Sequence, residues 1–409
     1  MSDQQTFVVV GAGQAGAKAV QGLREAGFDG RVVLVGKERE LPYERPPLSK
    51  GVLAGSQRPE DIGIHPADWY EQFRIELRLG VAVDSIDRDG HSMGLSDGDR
   101  LGYDRLLLAT GAGPRKLDLP GTDLPGVHYL RRVGDATRLL AELQPGRRLV
   151  VVGAGWIGLE VAAAARGHDM SVTLIDPAPT PLHAVLGAEV GEIFADLHRR
   201  NGVDVRTGEG VAALRGEQRV TGVVTSAGDT VPADVVVIGV GAVPNTRLAE
   251  QAGLAVADGV VVDALLRSSD PDIFAAGDVA RVQHALLGAE VRVEHWAVAN
   301  DQGLAAGRSM AGAGQPWDVL PFFYTDQYDL GMEYHGWVGP DGFDSVVLRG
   351  DPAGLDFAAF WLRGGRVLAG MHVNRWDDSD TIKEIARTRA ALSPAALGED
   401  TVSLASLLG

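Results

Sequence analysis

The sequence predicts an α/β protein made of two dinucleotide-binding domains and a small C-terminal α+β domain. Three observations carry that expectation. An apolar strand in TFVVVGAGQAG, residues 6–16, runs straight into Gly11, Gly13 and Gly16. The pattern recurs in LVVVGAGWIGLE, residues 149–160, with Gly153, Gly155 and Gly158 ahead of an Ala-rich stretch. Residues 327–373 then change to strands with alternating apolar positions and a Gly364-Gly365 pair suited to a two-residue hairpin, followed by a helix over about 379–392.

In each glycine pattern the first glycine permits a tight turn out of the strand. The second lets backbone approach a pyrophosphate, and the third lets the next helix pack closely on its strand. The positive end of that helix then faces the anion. One G-x-G-x-x-G occurs in many unrelated loops; two, each between a strand and a helix, define two Rossmann-like units and two dinucleotides. The economical pair is a flavin, cradled by Gly11, Gly13, Ala15 and Gly16, and a nicotinamide donor, cradled by Gly153, Gly155, Ile157 and Gly158.

Taken in order, residues 17–26 read as the first helix and 31–38 as the second parallel strand. Glu38, 27 positions after Gly11, is the candidate acid for the adenosine ribose, the plain alternative being a solvated strand-end charge. In LPYERPPLSK, residues 41–50, Pro46 and Pro47 are expected to hold the backbone extended. Such a stiff segment can hold Arg45 and Lys50 over a ligand, although a lysine after two prolines is also an ordinary surface charge. Residues 66–108 read as a helix and several short strands ending in LLLATG, where Ala109, Thr110 and Gly111 form a small-residue turn that lets backbone pass close to a cofactor.

Residues 115–246 repeat the plan. Asp176, 23 positions after Gly153, ends the strand VTLID, and no Lys or Arg lies between it and Arg199. A carboxylate there binds a ribose 2′-hydroxyl and repels a 2′-phosphate, so NADH is expected over NADPH. VVVIGVGAVPN, with Gly241, closes this unit as LLLATG closes the first. SSDPDIFAAGDVA, residues 268–280, then presents Asp278 from a small-residue turn, suited to the ribityl chain of a flavin or, as the alternative, to a helix N-cap.

Composition narrows the function. At 409 residues the chain suits two or three domains. A formal net charge of −17 argues against nucleic acid or an anionic membrane as the main partner. There is no cysteine, which removes disulfides, thiolate metal sites and thiol redox chemistry together. The polar start MSDQQTF does not read as a signal peptide, and the most apolar window, 149–165, is a strand plus helix rather than a membrane span. A cytoplasmic protein with no metal is expected.

The ordered set GAGQAG, LPYERPPLSK, LLLATG, GAGWIGLE, DPDIFAAGDVA, RVEHWAVANDQG and FYTDQYDLG resembles, over nearly the full length, the FAD-containing ferredoxin reductases of bacterial oxygenase systems. These belong to the pyridine nucleotide-disulfide reductase superfamily. The resemblance implies a glutathione-reductase-like fold, with noncovalent FAD in residues 1–113 and 247–320, the NADH domain in 114–246, and a C-terminal domain in 321–409. It further implies that Lys50 and Glu160 lie together beside the flavin ring, that Arg131 and Asp278 contact FAD, and that Trp296 and Tyr324 edge the isoalloxazine. Aromatic core packing is the alternative for the last two. The chain departs from the family pattern at Tyr324, where Trp is usual, at Val279, where Cys is common, and at Lys37, where a carboxylate is common.

The absence of cysteine separates this chain from relatives that reduce glutathione, thioredoxin or peroxide through thiols. The expected reaction is hydride transfer from NADH to FAD, with Lys50 stabilising the reduced flavin and Glu160 holding Lys50, followed by single-electron transfer to a transient partner, a 2Fe-2S ferredoxin. Such ferredoxins serve haem monooxygenases or ring-hydroxylating dioxygenases. Two other readings stay open here: another acceptor, such as a rubredoxin, a quinone or a small oxidant, and a flavoprotein that acts by partner binding, as apoptosis-inducing factor does. A monomer or weak homodimer is expected.

Overall fold

A computed structural model describes residues 5–408, which divide into two compact units. The first comprises residues up to Arg45, Glu60–Gly113 and Val243–Pro321; the second comprises Pro46–Pro59, Pro114–Ala242 and the residues from Phe322 onward.

The first unit is built on a five-stranded parallel sheet in the order Ile273–Ala275, Arg105–Leu108, Thr6–Val10, Arg31–Gly36, Ile75–Leu79. Its central strands are unbroken Val and Leu runs, and Val8, Val9, Val33 and Leu107 have no exposed surface. Continuous apolar strands of this kind need cover on both faces. The helix Gln14–Glu25 follows the first strand and packs on the helix Trp296–Met310. That contact is backbone-close: a Cβ at Gly307 would lie 2.2 Å from the Ala19 carbonyl. The first helix starts three residues earlier than the spacing predicts because Gly13 is its N-cap, and the second strand stops at Gly36, leaving Glu38 in a bend.

The second unit repeats the sheet in the order Val203–Thr207, Ser171–Asp176, Arg148–Val152, Val235–Ile238, Val127–His128, again all parallel. The helix Trp156–Gly167 stands after its glycine turn. The same unit contains a five-stranded antiparallel sheet, Phe322–Gln327, Leu330–Gly336, Arg366–Val373, Asp356–Arg363, Ser345–Asp351. Gly364 and Gly365, at φ +55° and +73°, join its hairpin as the two-residue turn requires. The covering helix, Ser379–Thr388, is shorter than expected because Arg389 takes a left-handed conformation and stops it. It buries Ile382 and Ile385 against Phe360 and Leu362.

Pro46 and Pro47 are not extended. Pro46–Leu48 forms a 3-10 turn whose Pro47 carbonyl accepts the Lys50 and Val52 N–H groups at 3.2 and 2.9 Å. The fixed proline φ suits the first helical positions, and that preference overrides the extended one.

Candidate functional site

The first cradle is set by backbone contacts that exclude any side chain. Gly11 has φ +117°, and a Cβ there would lie 2.1 Å from the Ala109 carbonyl. A Cβ on Gly16 would lie 1.9 Å from the Gly11 carbonyl. Gly13 faces open space, the nearest atom being Nη2 of Arg45 at 4.0 Å. Ala15 is buried, and its Cβ packs on Gly277 at the turn that carries Asp278. The turn Ala109–Gly111 is clasped: Thr110 Oγ1 donates to the Asn245 carbonyl at 2.9 Å, and Asn245 Nδ2 donates to the Thr110 carbonyl at 2.8 Å.

Beside this cradle Glu38 accepts hydrogen bonds from Tyr43 OH at 2.5 Å and from Arg45 Nη2 at 2.9 Å. Burial weakens the Arg45 charge, but Tyr43, Glu38 and Asp278 outweigh it and raise the guanidinium above its ordinary pKa. Glu38 and Asp278 thus both act on Arg45, the side chain that stands over Gly13. Asp278 precedes the strand Ala280–His284 rather than a helix, so the N-cap alternative for it falls. Trp296 opens the helix Trp296–Met310 and is half-buried. Its neighbour His295 is pushed down to about 4 by burial, against the pull of Asp278.

The second cradle repeats the geometry. Gly153 has φ +106°, with a Cβ position 2.4 Å from the Gly239 carbonyl, and Gly158 would meet the Gly153 carbonyl at 2.0 Å. Gly155 has nothing within 4 Å of its Cβ position. Asp176 accepts the Ala154 N–H at 2.7 Å and the Ala178 N–H at 2.8 Å, fixing its carboxylate at the glycine turn. Ile157 is 44% exposed there. Gly241, at φ +104°, accepts the Arg115 N–H at 2.9 Å in the closing turn.

A third constellation in the second unit joins Lys50 to Glu160. Glu160 sits in the second turn of Trp156–Gly167 and is 7% exposed. Its Oε1 accepts from the Lys50 ammonium and from Thr325 Oγ1 at 2.6 Å, and its Oε2 accepts from Ser49 Oγ at 2.5 Å. Burying a carboxylate this deeply costs free energy unless a countercharge and hydrogen-bond donors satisfy its oxygens, and here both oxygens are engaged. Lys50 Nζ also lies 5.4 Å from the Tyr324 ring centroid, a cation-π contact. Lys50 and Glu160 border a cavity of about 580 Å³, with Arg166, His168, Asp326 and Tyr328 on its wall. Arg131 is half-buried before the helix Val133–Leu140, where Asp135 accepts its backbone N–H at 3.1 Å.

The profile of the pyridine nucleotide-disulphide oxidoreductase family matches residues 5–303, and that of the reductase C-terminal family matches 322–408. The chain belongs to the pyridine nucleotide-disulphide oxidoreductase family. Similar members include the ferredoxin–NAD(+) reductase component of the anthranilate 1,2-dioxygenase system of Burkholderia cepacia, 40% identical over 98% of this chain and 99% of that protein. Putidaredoxin reductase of Pseudomonas putida is 38% identical over 100% of this chain and 98% of its own. The crystal structure of the covalent putidaredoxin reductase-putidaredoxin complex matches with a TM-score of 0.95 at 38% identity, over 100% of this chain and 99% of that chain.

FAD and NADH are the cofactors of this oxidoreductase family. The residues present fit two dinucleotides: Gly13 and Gly155 each leave open space at the N-terminus of a 12-residue helix whose first N–H groups receive no side-chain cap. Lacking cysteine, this family member cannot use a thiol. Among the described residues no helix is long and apolar enough to cross a membrane, and no cluster of three or more His, Asp or Glu is placed to hold a metal. Sequence reasoning missed Tyr43, Asn245, Ser49 and Thr325. Tyr43 and Ser49 lay inside the segment quoted for Arg45 and Lys50, and Thr325 inside FYTDQYDLG, but nothing local marked their roles.

Proposed function

We propose that this protein is an NADH-dependent flavoprotein reductase that passes electrons through FAD to a 2Fe-2S ferredoxin serving a haem monooxygenase or ring-hydroxylating dioxygenase. The observation that carries the proposal is full-length similarity to ferredoxin–NAD(+) reductases in a chain that lacks the thiols other members use. FAD, when bound, accepts a hydride pair of electrons and gives them up singly. Residues 1–113 and 247–320 would hold it: Gly11, Gly13, Ala15 and Gly16 at the pyrophosphate, Glu38 at the ribose with Arg45 beside it, and Ala109, Thr110, Gly111 and Asp278 along the chain. Arg131, Trp296 and Tyr324 are its further contacts.

In residues 114–246, Gly153, Gly155, Ile157, Gly158, Asp176 and Gly241 would bind NADH. Asp176 orients the ribose hydroxyls and excludes a 2′-phosphate. Lys50 would place a positive charge beside the flavin, where negative charge develops, and Glu160 would keep that ammonium in position. The protein would work in the cytoplasm as a monomer or weak homodimer, and its charge disfavours nucleic acid and membrane as partners.

Stopped-flow mixing of the purified yellow protein with NADH, then with a panel of purified 2Fe-2S ferredoxins, rubredoxins and quinones, tests the proposal. Rapid bleaching by NADH followed by reoxidation by a ferredoxin is the expected result. Fast reoxidation by a quinone alone would redirect the assignment to another acceptor.

A further inference from the structure

The Glu160 carboxylate ends a chain of buried hydrogen bonds whose direction follows from its own charge. An ionised carboxylate only accepts, so Thr325 must donate its hydroxyl proton to Oε1, at 2.6 Å. The Thr325 oxygen is then left to accept, which obliges Gln327 to present Nε2, at 3.1 Å. The Gln327 carbonyl Oε1 consequently accepts from His198 Nε2 at 2.9 Å, which fixes the proton of a neutral imidazole on Nε2. Nδ1 of His198 is thereby bare and accepts from Tyr328 OH at 3.2 Å. Four links all donate towards Glu160.

Gln327 and Thr325 are 1% and 0% exposed, and His198 has no exposed surface. Tyr328 has φ +55°, a left-handed conformation that a glycine would hold without strain, at the turn between Phe322–Gln327 and Leu330–Gly336. Its ring meets the His198 imidazole edge-on at 5.2 Å, and it borders the same cavity as Lys50 and Glu160, beside Arg166, His168 and Asp326. Aligned hydrogen bonds polarise one another in a low-dielectric interior, so each link strengthens the donor that reaches the carboxylate.

We propose that Thr325, Gln327, His198 and Tyr328 are positioning residues for the Lys50–Glu160 pair, a one-directional chain of donors that holds the Glu160 carboxylate fixed and so keeps the Lys50 ammonium in one place. The assignment rests on the proposed location of Lys50 and Glu160 beside the flavin. It makes the neutral, Nε2-protonated form of His198 part of the reductase's working state.

Two readouts on the full-length protein test it. Long-range proton-nitrogen NMR of the His198 imidazole, with and without bound flavin, is expected to show Nε2 protonated and Nδ1 bare; an Nδ1-protonated ring overturns the proposal. In stopped-flow reduction by NADH, Thr325→Val is expected to slow flavin reduction roughly five- to tenfold, with Thr325→Ser within about twofold of the parent. Gln327→Glu can donate to Thr325 only while protonated, so its rate should fall at least about threefold more than the parent's between about pH 5 and pH 8. Thr325→Val within about twofold of the parent, or Gln327→Glu with the parent's pH dependence, overturns the chain. Glu160→Gln separates the two levels: if it reduces at the parent's rate, the placement of the pair beside the flavin fails, whereas a slow Glu160→Gln with parent-like Thr325 and Gln327 variants removes only the chain.

Discussion

The two glycine cradles are near copies in backbone and differ in what surrounds them. Gly11 and Gly153 both turn at positive φ against a carbonyl of a closing turn, and Gly16 and Gly158 both press on the carbonyl of their own first glycine. Over the first, Arg45 stands 4.0 Å from the Cβ position of Gly13, and Glu38 is engaged by Tyr43 and Arg45. Over the second, the Cβ position of Gly155 meets nothing within 4 Å, Ile157 is exposed and Asp176 accepts two backbone N–H groups. A cradle furnished with a paired guanidinium suits a cofactor that stays. An open one suits a cosubstrate that must leave at every turnover.

The sharpest way to break this comparison is to close each cradle in turn. Gly11→Ala forces a Cβ to 2.1 Å from the Ala109 carbonyl, and a shift that relieves it costs about 1–3 kcal/mol. The purified variant is expected to be colourless. Gly153→Ala, with its Cβ 2.4 Å from the Gly239 carbonyl, should remain yellow yet lose NADH-driven bleaching at least about tenfold. Identical absorbance spectra for the two variants would end the distinction.

The ion pair gives a second test. Lys50→Met should slow flavin reduction by NADH about a hundredfold, the scale seen when one preorganised electrostatic group is removed, with a much smaller change in KM. Asp176→Ala should raise KM for NADH about tenfold and narrow the preference over NADPH, measured as the ratio of kcat/KM values. The same change made at Glu38 should instead alter flavin retention, read by absorbance after gel filtration.

What the sequence made legible divides along similar lines. The apolar strands and the glycine turns are local signals, and both cradles were readable from spacing alone. Asn245 was not, because its clasp on Thr110 spans 135 positions and a lone Asn after Pro carries no marker. Thr325 was hidden for a related reason: in a strand with alternating burial, an inward threonine looks like any β-branched core residue until Glu160 is seen opposite it. Arg138 pairs with Asp135, Arg199 with Glu192 and Asp196, and Arg387 with Glu384, so much of their charge is answered locally. A modest fall in ferredoxin reduction rate between low and high salt is therefore expected, and no dependence would remove electrostatic docking.

The remaining prediction is a pH dependence of stability. Burial pushes His198 down to about 4, from 6.5 in an unfolded chain. The unfolded state thus binds more protons between those values, so the stability this neutral imidazole contributes is complete above about pH 6.5 and is lost as the pH falls to about 4. The loss is roughly 3 kcal/mol for this group. His295 in the first unit shifts in the same direction, so thermal unfolding should move to lower temperature across that window. Replacing His198 with Gln should flatten the slope.

The clasp between Thr110 and Asn245, reinforced by Asn245 N–H donating to the Gly111 carbonyl at 2.9 Å, pins both ends of the long segment that carries the second cradle to one point of the first unit. Everything strung between those two residues is a cassette in the engineering sense. Transplanting the corresponding stretch of a relative with another electron-donor preference, cut at these two positions and with Arg131 and Glu160 retained, should swap the fuel while keeping the yellow colour and the choice of protein acceptor.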